Sequence, residues 1–234
     1  MINQIKKDIQ KIANPEKAKI YQRFFKTGKG QYGEGDVFLG LTVPQQRSIA
    51  KNYLGIGLPK IQQLLKSKIH EHRLVALIIL VEKYKKAGDE EKGNIFNLYL
   101  KNTKFINNWD LIDLTAPNIV GEFLLDKKRI ILYNLAESKS LWEKRISVLA
   151  TFTFIRNNEF KDCLRICEIL LKDDHDLIHK ACGWMLREIG KRDLAVEEKF
   201  LKKHYKNMPR TMLRYAIERF EENKRQKYLK GKIK

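Results

Sequence analysis

Residues 107–121 read NNWDLIDLTAPNIVG. Trp109 and Asp113 stand four apart, which on a helix places them one above the other on a single face. Pro117 has no N–H with which to bond the carbonyl of residue 113, so a helix running through here must distort or end beside Asp113. The face then either looks at a ligand, or Asp113 caps a new helix starting near Thr115.

Four other segments can be laid over this one: EHRLVALIIL, EKRISVLATF, IHKACGWMLR and TMLRYAIERF. Their aligned positions are Arg73, Trp109, Arg145, Lys180 and Arg214, spaced by 36, 36, 35 and 34 residues. A regular spacing of that size fits two helices plus turns, the unit of an α-solenoid. The position of Trp109 is Arg or Lys in the other four repeats, so this register is expected to face away from the core. Stacked repeats would align the five residues along one surface, with Trp109 as an aromatic set among cations. The positions four further on are Leu77, Asp113, Leu149, Trp184 and Glu218, and the two leucines suggest a half-buried flank.

Helical periodicity extends through the rest of the chain, with no convincing alternating strand. Asn14-Pro15-Glu16 reads as an N-cap and first-turn proline opening a helix through Phe25. Further amphipathic runs start at Pro44, Pro59, Glu71 and Glu90, and others cover 128–138, 141–156, 159–171, 175–191, 194–204 and 209–222. The expectation is an all-α, right-handed solenoid of HEAT-like repeats with a concave basic groove. It would form one domain over 1–222, followed by a basic tail, 223–234, read as frayed helix or disordered arm.

Composition narrows the partners. The 234 residues include 47 Lys plus Arg against 28 Asp plus Glu, a formal charge of +19. That surplus points to a polyanion, nucleic acid before an anionic membrane surface. The N-terminus lacks an apolar signal core and no run is long enough to span a bilayer. Three cysteines (Cys163, Cys167, Cys182) suit a reducing compartment, so a cytoplasmic protein is expected.

Other constellations carry less. GKGQYG at 28–33 matches G-x-G-x-x-G, but that fingerprint needs a strand before it and a helix directly after, so a flexible loop near DNA is expected. His175 and His179 are spaced for a shared metal but lack an acidic third ligand, and read as surface or phosphate-facing residues. Cys163 and Cys167 read as core fillers, and no nucleophile with a base partner emerges.

The motifs GEGDVFLGLTVPQQR (33–47), HEHRLVALIILVEKY (70–84), NWDLIDLTAPNIVG (108–121), WEKRISVLATFTFIR (142–156), HKACGWMLREIGK (179–191) and RTMLRYAIERF (210–220) occur in order, and through them the chain resembles the AlkD-type DNA alkylation-repair glycosylases. Those proteins are built of HEAT-like repeats, and the resemblance covers nearly the whole chain. It implies a lesion-facing tryptophan at Trp109, a catalytic carboxylate at Asp113, the arginine of the site at Arg145 and a second aromatic wall at Trp184. It places backbone-binding positions at Thr42, Arg47, Lys180 and Arg187, beside the Arg73 and Arg214 of the repeat register. The stretch KTGKGQYGEGD is longer than the matching loop of the best-known members.

These residues suit one chemistry. Alkylation at N3 or N7 makes a purine cationic and a good leaving group, and its departure leaves positive charge on the deoxyribose. A carboxylate fixed beside that sugar stabilises the cation and can orient the water that captures it, the role expected of Asp113. Indole faces at Trp109 and Trp184 favour cationic bases over neutral ones, and Arg145 is expected to grip a neighbouring phosphate. The resemblance further implies processing without full extrusion of the base. The expected function is thus a monomeric glycosylase excising N3-alkyladenine and N7-alkylguanine from double-stranded DNA, with no metal, cofactor or membrane. The alternatives are a non-catalytic HEAT-repeat protein that recognises distorted or branched DNA, and a protein-interaction scaffold.

Overall fold

A computed structural model describes residues 1–233. Among them the fold is all-α, and the sole strand-like pairing is an isolated parallel bridge between Val37 and Ile69. Contacts divide the chain into two compact units, Met1–Thr115 and a second from Ala116 onward.

The first unit contains α1 (Ile2–Lys11), α2 (Pro15–Phe24), α3 (Val43–Lys51), α4 (Leu58–Leu65), α5 (His70–Lys86), α6 (Asp89–Lys101) and all but the last residue of α7 (Trp109–Ala116). Its helix starts follow local chemistry. The Asn14 side chain accepts from the Lys17 N–H at 3.0 Å, and Pro15 occupies the first turn, where a missing N–H costs nothing. Thr42 opens α3, its N–H donating to Gln45 Oε1 at 2.8 Å. Every residue of α5 from His70 to Val81 is buried, and α1, α3, α4 and α6 pack around it. Its apolar run thus finds neighbours on all sides, which is what a helix without a polar face requires.

Arg73, in the buried head of α5, does not line a surface. It is 3 % exposed; Nη2 donates to Asp36 Oδ1 at 2.8 Å and Nη1 to the Ser67 and Lys68 carbonyls at 3.1 and 3.3 Å. A guanidinium enclosed in this way needs a carboxylate and acceptors around it, and although its Nε has no partner, both terminal nitrogens do, so Arg73 joins α5 to the Asp36 loop instead of displaying charge.

The second unit begins where Pro117 interrupts the helix. A π-helical segment, Pro117–Gly121, follows, and the Thr153 hydroxyl donates to the Pro117 carbonyl at 2.8 Å. Then come α8 (Glu122–Leu124), α9 (Ile130–Ala136), α10 (Leu141–Arg156), α11 (Lys161–Ile169), α12 (Asp176–Gly190), α13 (Leu194–His204), α14 (Arg210–Ala216) and α15 (Glu222–Leu229). The helices α10, α12 and α14 pack in succession, backed by α9, α11 and α13. Cys163, Cys167 and Cys182 are buried within it, all as thiols.

A glycine permits the close approach of α12 and α14. A Cβ on Gly183 would lie 2.4 Å from the Met212 carbonyl oxygen and 2.5 Å from Tyr215 Cβ. Backbone and a neighbour's Cβ cannot swing aside, so Gly183→Ala must push α14 off α12. A loss of about 1–3 kcal/mol is expected, as for overpacked cores, read as a lower urea midpoint; an unchanged midpoint would refute this packing.

The tail differs from expectation. Residues 222–229 are helical, the Glu221 side chain accepts from the Asn223 and Lys224 N–H groups, and Tyr228 is 1 % exposed between Tyr205 and Phe220. The Tyr205 hydroxyl also reaches the Gly231 and Ile233 carbonyls at 3.3 and 3.0 Å. The last residue of the expected tail, Lys234, lies outside the described residues.

Candidate nucleic-acid interface and active site

In the first unit the site is built around the start of α7. Asn108, fully buried, accepts from the Trp109 N–H at 2.9 Å and donates from Nδ2 to Asp36 Oδ2 at 3.2 Å. It thus caps the helix and ties it to the loop that holds Arg73. Trp109 stacks on Phe25 at 5.3 Å and 24°, Phe25 on Phe38 at 4.8 Å and 13°, and Phe38 on the His70 imidazole at 4.4 Å and 23°. Phe24 meets the Trp109 ring edge-on at 5.9 Å. Four separate chain segments therefore set the orientation of a half-buried indole.

Asp113 lies one turn further along α7, also half-buried. The helix runs unbroken from Trp109 to Ala116, so Asp113 is a mid-helix residue and not the cap of a helix starting at Thr115. Its charge reaches Tyr99: burial raises the pKa of that phenol and the Asp113 carboxylate adds to the rise, against a hydrogen bond with Thr115.

The sequence reading did not single out the residues that brace Trp109 from behind. His70 Nε2 meets Asp110 Oδ2 at 2.8 Å and its Nδ1 meets Asp36 Oδ2 at 3.3 Å. Burial works against protonation of His70, but the Asp110 carboxylate and the bonds to both aspartates outweigh it and lift the pKa to about 8. Asp36, despite burial, is held below the usual range by His70 and Arg73. The available signal was Asp110 beside Trp109 and the charged head HEHR directly before the apolar run 74–81.

Of the remaining positions in this unit, Thr42 is half-buried at the N-cap of α3, its hydroxyl on Gln45 Oε1, while Arg47 is exposed on α3. The 28–33 loop has α2 before it and no helix directly after. It is pinned by Gly28 N–H to Gln31 Oε1 at 3.0 Å and Gly30 N–H to Glu34 Oε2 at 2.8 Å.

In the second unit, Arg145 is 4 % exposed and its Nη1 donates to the Leu177 carbonyl at 2.6 Å. It therefore fastens α10 to the first turn of α12, which corrects the expectation of an outward, phosphate-gripping guanidinium. Leu77 and Leu149, each in its own unit, are fully buried, deeper than the half-buried flank expected there. Lys180 is part-exposed and pairs with Asp176 at 2.6 Å. One turn on, Trp184 is half-buried, donates to Glu188 Oε1 at 3.1 Å and tilts against Phe152 at 5.8 Å. Arg187 is engaged by Glu218, and Arg214 stands exposed on α14. His175 Nδ1 accepts from the Leu177 N–H and His179 Nε2 lies 2.5 Å from the Asp173 carbonyl, so both half-buried side chains close the start of α12.

Two units of packed helices, with α10, α12 and α14 stacked in succession in the second, define an all-α helical-repeat protein. The sequence model of the family described as DNA alkylation repair enzyme matches residues 5–220, and the chain belongs to that family. Among solved structures it is similar to a predicted DNA alkylation repair enzyme from Enterococcus faecalis, with a TM-score of 0.68 at 16 % identity. That likeness covers 89 % of this chain and 96 % of the other, and speaks to the fold alone. No curated protein matches.

Proposed function

We propose that this family member is a DNA glycosylase that hydrolyses the N-glycosidic bond of cationic alkylpurines, N3-alkyladenine and N7-alkylguanine, in duplex DNA. The observation that carries the reading is the α7 turn, which holds a braced, half-buried indole and a half-buried carboxylate on one helix face. In the proposed reaction the bond to the positively charged base breaks with its electron pair leaving on the base. Asp113 stabilises the resulting sugar cation and orients the water that adds to C1′. The Trp109 and Trp184 faces favour the charged lesion, and selectivity comes from the lesion's own lability without full extrusion of the base. Arg145 acts as a positioning residue for α12, and Thr42, Arg47, Lys180, Arg187 and Arg214 contribute contacts to the DNA backbone.

The enzyme would work as a cytoplasmic monomer that needs no metal or cofactor. No helix among the described residues is long and apolar enough to cross a membrane, and no group of three or more His, Cys, Asp or Glu side chains is placed to hold a metal.

Incubation with methylated duplex DNA, followed by chromatography of the released material, tests the reading directly. Free 7-methylguanine and 3-methyladenine are expected. Tight binding with no released base would transfer the function to the non-catalytic reading, recognition of distorted DNA. The basic face makes a separate expectation. Each phosphate contact releases counterions, so log affinity should fall steeply with log salt, and Lys180→Ala or Arg214→Ala should reduce that slope by about one unit each. Affinity unchanged between low and moderate salt would remove this face as the binding surface.

A further inference from the structure

The backing layer of the second unit contains a groove that the proposed reaction does not use. The helices α11 and α13 each rest on α12 without substantial packing against one another, and the space beside them has a volume of about 710 Å³. That falls within the ~300–1,000 Å³ of built binding sites. On α11 the lining is Phe160, Lys161, Leu164, Arg165 and Glu168, and on α13 it is Val196, Lys199, Phe200, Lys203 and His204. Both sets recur at the three- and four-residue spacing of a single helix face. The last turns of the two helices are tied together, since the Glu168 carboxylate meets Lys203 Nζ and His204 Nε2, both at 2.9 Å.

The lining pairs an apolar surface with a surplus of positive charge. Phe160, Leu164 and Val196, with Tyr133 from α9, are half-buried and keep part of their apolar surface open to the groove. Arg165 and Lys203 remain 63 % and 69 % exposed even while paired with Glu168. Lys161 and Lys199 are exposed, and among the described residues no carboxylate lies within ion-pair distance of either. Glu168, the one acid in the lining, is thus shared by Arg165, Lys203 and His204 and cannot neutralise four cations. Asp162, one residue on from Lys161, is committed to Arg129 at 2.8 Å and to the Tyr133 hydroxyl at 2.5 Å.

From the two stripes, their open apolar surface and their excess of cations, we infer that this groove docks an acidic amphipathic helix of a partner protein. Its apolar face would cover Phe160, Leu164 and Val196, and its Asp or Glu side chains would meet Lys161, Arg165, Lys199 and Lys203. A groove between two helices is the shape that a third helix fills. From residue 160 to residue 168 the α11 stripe is about 12 Å long, so two to three turns of the partner span it. DNA fits less well, because phosphates would neutralise the rim and leave the apolar surface in water. A second copy fits less well because two chains of +19 repel one another. The residues assigned to DNA in this unit, Lys180, Trp184 and Arg214, belong to α12 and α14, so partner and DNA use different side chains. The inference is independent of the glycosylase reading.

Fluorescence anisotropy of the full chain with a labelled peptide of about four helical turns, leucines along one face and glutamates on the others, tests this. Binding in the micromolar range is expected. A peptide of the same composition with its leucines scattered around the helix should bind about tenfold more weakly or worse. Lys161→Glu combined with Lys199→Glu should weaken the patterned peptide by about tenfold or more. Melting should be unchanged, because both side chains are exposed and the first turn of α11 favours a carboxylate. The same change of net charge in the first unit, Lys7→Glu combined with Lys60→Glu at two exposed positions, should alter binding by no more than about twofold. Absence of binding at millimolar peptide, equal binding of the scattered peptide, undiminished binding by the Lys161 and Lys199 variant, or an equal loss in the Lys7 and Lys60 variant would overturn the inference. Displacement of the peptide by duplex DNA, with DNA affinity lowered in the Lys161 and Lys199 variant, would give the groove to nucleic acid instead. A concentration-dependent dimer in light scattering that the same variant abolishes would give it to a second copy, and either result overturns the partner helix.

Discussion

Asp113→Asn should leave the chain folded and bound to DNA while lowering release of 7-methylguanine about a hundredfold or more, the scale of removing one group aimed at a developing charge. The expectation follows from where Asp113 sits. It is inside α7 and not at its start, so the substitution removes no helix cap, and an amide occupies the same half-buried space. What disappears is negative charge, which in the proposed reaction acts as positive charge grows on the sugar. The effect should be largest for N7-alkylguanine, whose bond is sturdier, and smaller for N3-alkyladenine, which needs less help to leave. Uracil, a neutral base, should be untouched by either protein. Single-turnover release of 7-methylguanine at near wild-type rate by the Asn variant would remove Asp113 from the mechanism. A lowered melting temperature with release falling only in step with folded protein would make the carboxylate structural.

Asp36→Ala is the substitution expected to cost most in stability. Asp36 is 5 % exposed and accepts from Arg73 at 2.8 Å, Asn108 at 3.2 Å and His70 at 3.3 Å. Its removal leaves a buried guanidinium with no carboxylate and loosens the cap of α7. Breaking a buried pair from one side costs about 3–5 kcal/mol, a large share of the roughly 5–15 kcal/mol that holds a typical domain together. The expected readout is a fall of about ten degrees or more in melting temperature, with Asp36→Asn milder because it keeps an acceptor. A loss below about 1 kcal/mol would mean that the network is not a structural centre.

The same cluster sets a pH dependence. The folded-state pKa of His70, about 8, lies above its ordinary 6.5. The folded state therefore binds the proton more tightly, and the associated stability is complete below pH 6.5 and disappears as pH rises through 8. Asp110→Asn should flatten that alkaline decline. A wild-type chain equally stable at pH 6 and pH 9 would contradict the assignment.

Much of this was legible in the sequence because it is local. Asn14-Pro15 and Thr42 with Pro44 mark helix starts through side chains that satisfy the adjacent turn, and α10 begins and ends where periodicity placed it, at 141 and 156. Pro117 announced a break in the helix, since a missing N–H acts within its own turn; that the break is a π-helical segment was settled by packing within the second unit, where Thr153 takes the proline's carbonyl. The pairing of Trp109 with Asp113 is likewise a matter of spacing on one helix.

Side-chain direction was another matter. Arg73 and Arg145 carry the same charge at the same repeat position as Lys180 and Arg214, and nothing in the alignment distinguishes them. Burial separated them: Arg73 turned inward because Asp36, far away in the chain, offers a carboxylate there, and Arg145 because the Leu177 carbonyl lies within reach. The tail reads as frayed helix or disordered arm from its charge, yet Tyr228 finds Tyr205 and Phe220 and the helix is held. The brace behind Trp109 joins α2, the Phe38 loop, α5 and α7, and no spacing in the sequence reports that such segments will meet. Helix boundaries depend on energies exchanged within a turn or two, which a sequence displays. The fate of a charged or aromatic side chain depends on which distant group arrives beside it, and only the tertiary structure decides that.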